Sequence, residues 1–80
     1  MRRKAGVNSM FARVIVDISN ANVNRLFTYA VPEEISLCEG QRVIVPFGRG
    51  NRPIEGFVLE LVDEPGTERE LKSIVRTIEP

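Results

Sequence analysis

Arg42-Val43-Ile44-Val45-Pro46-Phe47-Gly48-Arg49-Gly50-Asn51-Arg52-Pro53 is a short β-branched run that meets a proline and then a turn rich in glycine and arginine. Valine and isoleucine are stiff at χ1 and suit a pleated, extended backbone. Residues 42–45 therefore read as a strand, stopped at Pro46, which has no N–H to donate. Gly48 and Gly50 permit positive φ, which marks 47–53 as a turn. Ile54 to Val62 follows as the longest strand candidate.

The flanking sequence repeats this grammar. Phe11 to Asp17 alternates apolar with small or polar residues and then becomes β-branched, as expected of a strand with a buried face. Ser19 to Asn24 is rich in turn formers and reads as a loop. Leu26 to Val31 is a second strand, ended by Pro32, and 33–39 is a connection closed by Gly40. Asp63-Glu64-Pro65-Gly66-Thr67 is a strong turn signal. Glu68 to Leu71 has room for one helical turn, and Ser73 to Ile78 reads as the last strand. The expected fold is mostly β: a small antiparallel β-barrel or half-open sheet of about five strands, with at most one short helical turn. Residues 10–80 form a single domain. Residues 1–9 read as a flexible N-terminal extension, with Met10 starting the ordered part. The end at Ile78-Glu79-Pro80 reads as a cut through a longer protein.

Composition narrows the function classes. At 80 residues the chain holds one domain with a small core. It is 42% hydrophobic and 28% charged, the profile of a globular protein. Eleven basic and 11 acidic residues cancel to a net charge of +0, so any nucleic-acid contact has to be local rather than a general basic field. Histidine is absent and Cys38 is the single cysteine. That excludes His/Cys metal clusters, Ser–His and Cys–His catalytic pairs and an internal disulfide. Neither a metal nor a cofactor is expected, and no catalytic residue is assigned. No apolar run approaches the length of a membrane span, and a cytoplasmic location is expected.

Three constellations carry possible function. In Arg25-Leu26-Phe27-Thr28-Tyr29, strand alternation puts Phe27 and Tyr29 on one face. They are either core aromatics or a surface on which a base stacks. In Gly40 to Gly48, the Pro-Phe-Gly turn exposes backbone amides near Gly48, with Arg49 and Arg52 as candidate phosphate contacts. The plainer reading is a hairpin loop with solvated arginines. Lys72 precedes the last strand, where its ammonium meets a phosphate or simply faces water. The sequence lacks the Gly-Lys-Ser/Thr of a P-loop, so nucleotide hydrolysis has no motif in it.

Arg25-x-Phe27-x-Tyr29-x-x-Pro32-Glu33, then Gly40-x-Arg42-Val43-x-Val45-Pro46-Phe47-Gly48, Gly56-x-Val58 and Leu71-Lys72-x-Ile74, in this order, resemble the N-terminal 3′-end-binding domain of the PriA family of primosomal replication-restart helicases. The resemblance covers about residues 10–80. It implies a module that binds the 3′ end of the nascent leading strand at stalled forks. It also implies, as partners, the remainder of a helicase chain and other primosome proteins. Carried over residue by residue, the DNA-end site is Phe27, Thr28, Tyr29, Gly48 and Lys72. The family commonly has an aspartate where Thr28 stands. A threonine hydroxyl still accepts and donates, but a charge-assisted bond is lost, so weaker end recognition is expected. The alternative is a small β-barrel protein-interaction module without DNA-end recognition, which the neutral charge mildly favours.

Overall fold

The structure, a computed structural model, describes residues 10–18, 25–66 and 70–78. The expected extension at 1–9 and the expected loop at 19–24 lie outside the described residues. Five strands form one antiparallel sheet: β1 (Phe11–Val16), β2 (Leu26–Ala30), β3 (Arg42–Phe47), β4 (Arg52–Val62) and β5 (Arg76–Thr77), in the order β2-β1-β4-β3-β5. The sheet is half-open: β2 and β5 are not paired as strands.

Period-2 alternation decides the faces. In β1, Ala12, Val14 and Val16 are fully buried, while Phe11, Arg13 and Ile15 are only partly covered. The core is Ala12, Val14, Val16, Tyr29, Leu37, Val43, Val45, Val58 and Ile74. Five of these are valines, whose branched side chains pack closely on the inner face of the pleated sheet. Leu37, from the connection between β2 and β3, and Ile74, from the segment before β5, add apolar volume that the four longer strands do not supply.

β4 is the spine, pairing with β1 on one side and β3 on the other. Gly56 faces the core opposite both Val16 and Val43. A Cβ there would stand 2.7 Å from the Ile15 carbonyl oxygen and 2.8 Å from Val14 Cγ1, so only glycine lets β1 approach this closely. Arg13 pairs with Glu60 but Val14 with Val58, which leaves Leu59 as the extra residue of a bulge. The bulge bends β4 and lets Val58 and Leu61 both serve the inner face, while Leu59 stays 44% exposed.

Three expectations need correction. Pro46 does not end the third strand, which continues to Phe47, and the fourth begins at Arg52. Pro46 lies opposite Pro53. Antiparallel pairs alternate between hydrogen-bonded and non-hydrogen-bonded, and two prolines facing each other in a non-hydrogen-bonded pair forfeit no ladder bond. The last strand is shorter than the expected 73–78. Its chain is shared between two edges: the Ala30 N–H donates to the Lys72 carbonyl at 2.9 Å and the Ile74 N–H to the Ala30 carbonyl at 3.1 Å. The Val75 and Ile78 N–H groups instead donate to the Ile44 and Arg42 carbonyls of β3. Only Arg76–Thr77 sustains a ladder. Glu70 and Leu71 are irregular rather than helical, and 67–69 lie outside the described residues.

Candidate DNA-end cleft

The segment 72–78 bridges β2 and β3 near Ala30 and Ile44, and the two strands are not themselves paired. The gap they leave is a cleft of about 480 Å³. β2 forms one wall through Phe27, Thr28 and Tyr29. The β3–β4 turn forms another through Pro46, Phe47 and Gly48, and Pro65, Gly66 and residues 70–72 complete it. All five residues expected at a DNA-end site therefore border one cavity, although they come from three separate parts of the chain.

Three contacts hold the turn against β2 and the 70–72 wall. The Tyr29 hydroxyl donates to the Pro46 carbonyl at 2.9 Å. Phe27 meets Phe47 edge to face, with centroids 5.4 Å apart and planes at 72°. Lys72 Nζ donates to the Gly48 carbonyl at 2.7 Å. The Pro46 bond follows from strand parity: β3 offers its Arg42 and Ile44 carbonyls away from β4, so the Pro46 carbonyl lies on that same outer edge, beyond the reach of β5. A partly buried carbonyl there benefits from a donor, and Tyr29 supplies it. Tyr29 is only 4% exposed. Burial pushes its phenol above the ordinary value of 10.0, because the phenolate would lose its water. Gly48 takes φ 77°, the left-handed turn conformation for which glycine carries no steric penalty.

The aromatic pair thus combines the two readings open to it. Tyr29 belongs to the core and Phe27 packs against the core, yet both residues line the cleft. Neither forms an open stacking platform. Thr28 points to the opposite face of β2 but still borders the cavity, because β2 is an edge strand. Residues 25 and 31 bond toward β1, so the even positions turn their N–H and C=O outward. Ala30 spends its pair on residues 72 and 74, and the pair on Thr28 lies on the free edge beside the cleft. Sequence reading overlooked this backbone edge, along with Pro65, Gly66 and Glu70; the Pro-Gly pair signalled a turn but not where it would fold back. Arg49 and Arg52 are exposed and do not line the cleft.

A second concavity, about 500 Å³, lies on the outer face around Ile15, Arg25, Phe57 and the Arg42–Glu55 ion pair. It is of similar size and takes in the motif residues Arg25, Gly40, Arg42 and Gly56, but none of Phe27, Thr28, Tyr29, Gly48 or Lys72 borders it. What distinguishes the first cleft is that all five residues expected at a DNA-end site border it.

Comparison with known proteins settles the family. The family described as the 3′ DNA-binding domain (3′BD) of PriA matches residues 13–80. The chain belongs to this family. As a PriA 3′ DNA-binding domain it is a binding module rather than a catalytic one, and the motifs of β2, of the β3–β4 turn and of Leu71-Lys72 all fall inside the matched region. The replication restart protein PriA of Bacillus subtilis (strain 168) is 50% identical over 50 residues, which is 60% of this chain and 6% of that protein. The aligned stretch is thus a small part of its relative's length. No solved structure matches the chain. No helix among the described residues is long and apolar enough to cross a membrane.

Proposed function

We propose that the cleft receives the 3′-terminal nucleotide of a DNA strand, and that the domain thereby directs a replication-restart helicase to the nascent leading strand at a stalled fork. The supporting observation is the convergence of Phe27, Thr28, Tyr29, Gly48 and Lys72 on one cavity of small-molecule size. A cleft walled by β2, the β3–β4 turn and residues 70–72 has room for a chain end, and these walls would obstruct a strand that had to continue through it. The aromatic edges of Phe27 and Phe47 give a base an apolar surface. The Thr28 backbone edge and hydroxyl and the Lys72 ammonium give it polar partners. The +0 net charge fits a module that reads one end while other parts of a longer chain grip the backbone. The cytoplasm, the remainder of that helicase chain and other primosome proteins complete this reading as its setting and partners.

The test is fluorescence anisotropy with one internally labelled single-stranded oligonucleotide in linear and circular form. The linear form is expected to bind at least about tenfold more tightly. Lys72→Ala, at an exposed position, is expected to remove most of that difference while the far-UV spectrum stays unchanged. Equal affinity for linear and circular DNA would overturn end recognition and leave a protein-interaction module as the better account.

A further inference from the structure

The polar side chains around the cleft are unequally engaged. The Tyr29 hydroxyl is committed to the Pro46 carbonyl and the Lys72 ammonium to the Gly48 carbonyl. Glu70 is the single carboxylate among the lining residues, and it has neither a hydrogen bond nor an ion pair among the described residues. The ion pairs present there are Arg13–Glu60 and Arg42–Glu55, both on the outer face of the sheet and away from this cleft. Glu70 and Lys72 lie two residues apart on one irregular wall, with Leu71 between them. The cleft therefore carries a cation already held by a carbonyl, and an anion with no partner among the described residues.

We infer that Glu70 is a specificity-determining residue of the cleft, accepting the hydrogen bond of a terminal 3′-hydroxyl and excluding a 3′-phosphate. This rests on the end-binding reading above. A hydroxyl terminus is a donor, and a carboxylate is the strongest acceptor a side chain offers it. A phosphate terminus brings negative charge and acceptors only, and a carboxylate at the same wall repels it. The Thr28 hydroxyl accepts either terminus, because it is neutral and both donates and accepts, so it does not discriminate by charge. Lys72 alone would favour the phosphate. Among the lining side chains, discrimination by charge in favour of the hydroxyl thus falls to Glu70. The residue is exposed, so the effect shrinks as salt screens it.

The experiment measures affinity of the 80-residue chain for two oligonucleotides that differ only in a 3′-hydroxyl or 3′-phosphate. The wild type is expected to prefer the hydroxyl by about tenfold at low salt, the order of one partly solvated charge-assisted bond. Glu70→Gln keeps the shape and an acceptor but removes the charge, and is expected to narrow the ratio to about twofold. Most of that change should come from tighter binding of the phosphate end. Glu70→Lys is expected to reverse the preference. A wild-type preference for the hydroxyl that both variants retain overturns the role of Glu70 alone. Equal binding of both termini by the wild type overturns it too, and the comparison of linear with circular DNA then decides separately whether ends are recognised at all.

Discussion

Tyr29 does two things with different parts of one side chain. Its ring belongs to the core, and its hydroxyl ties β2 to the β3–β4 turn through the Pro46 carbonyl. Phenylalanine keeps the first role and abolishes the second. Tyr29→Phe should cost about 1 kcal/mol, the net worth of one hydrogen bond plus a carbonyl left without its donor. It should also loosen the turn that carries Gly48, weakening binding to DNA ends with little loss of secondary structure. Burial also gives the phenol a pH signature. Its folded pKa lies above the unfolded 10.0, so the neutral form is the one the fold prefers. The corresponding stability is complete below pH 10.0 and is lost as pH rises from there through the raised folded value. Urea melts across the alkaline range should show this decline in the wild type and a flatter profile in Tyr29→Phe. An equal decline in both would remove Tyr29 as its source.

Among the elements, β4 depends most on a single position. Gly56 lies where β1 and β3 both pair with it, and any Cβ would collide with the Ile15 carbonyl. Gly56→Ala should destabilise by about 1–3 kcal/mol through overpacking, read as a lower urea midpoint. An unchanged midpoint would show that β1 can move outward without cost. β4 and β3 also show how far elements were legible in the sequence. Alternation and β-branching located all five extended segments, because strand preference is a local property of side chains on a pleated surface. The proline rule misplaced the end of β3, because the cost of a missing N–H depends on what lies opposite, and Pro46 lies opposite Pro53. The bulge at Leu59 left no mark in the sequence: an apolar residue in an apolar run gives no sign that it will face water.

At the scale of the molecule, the half-open sheet is held at its gap by residues 72–78, which bond to β2 at one end and β3 at the other. Ile74 is the apolar anchor of this strap, 2% exposed, whereas its neighbour Val75 is 53% exposed. Ile74→Ala should cost about 2–4 kcal/mol, a large share of the stability of so small a domain, and Val75→Ala less than about 0.5 kcal/mol. Thermal unfolding followed by circular dichroism distinguishes them. Similar midpoints for the two variants would mean that the strap does not close the core.

The sequence by itself determined where the chain is extended, where it turns and which family it belongs to. These follow from side-chain shape, from backbone donors that are present or missing, and from the order of short motifs, all of which are local. Only the tertiary structure decided that β2 and β3 leave a gap, that Phe27 and Tyr29 serve core and cleft together, and that Glu70 shares a wall with Lys72. The contacts responsible join residues 17 positions apart between Tyr29 and Pro46, and 24 between Gly48 and Lys72. Such pairings come from strand order and the curvature of a packed sheet, which a linear pattern of apolar and polar residues does not encode.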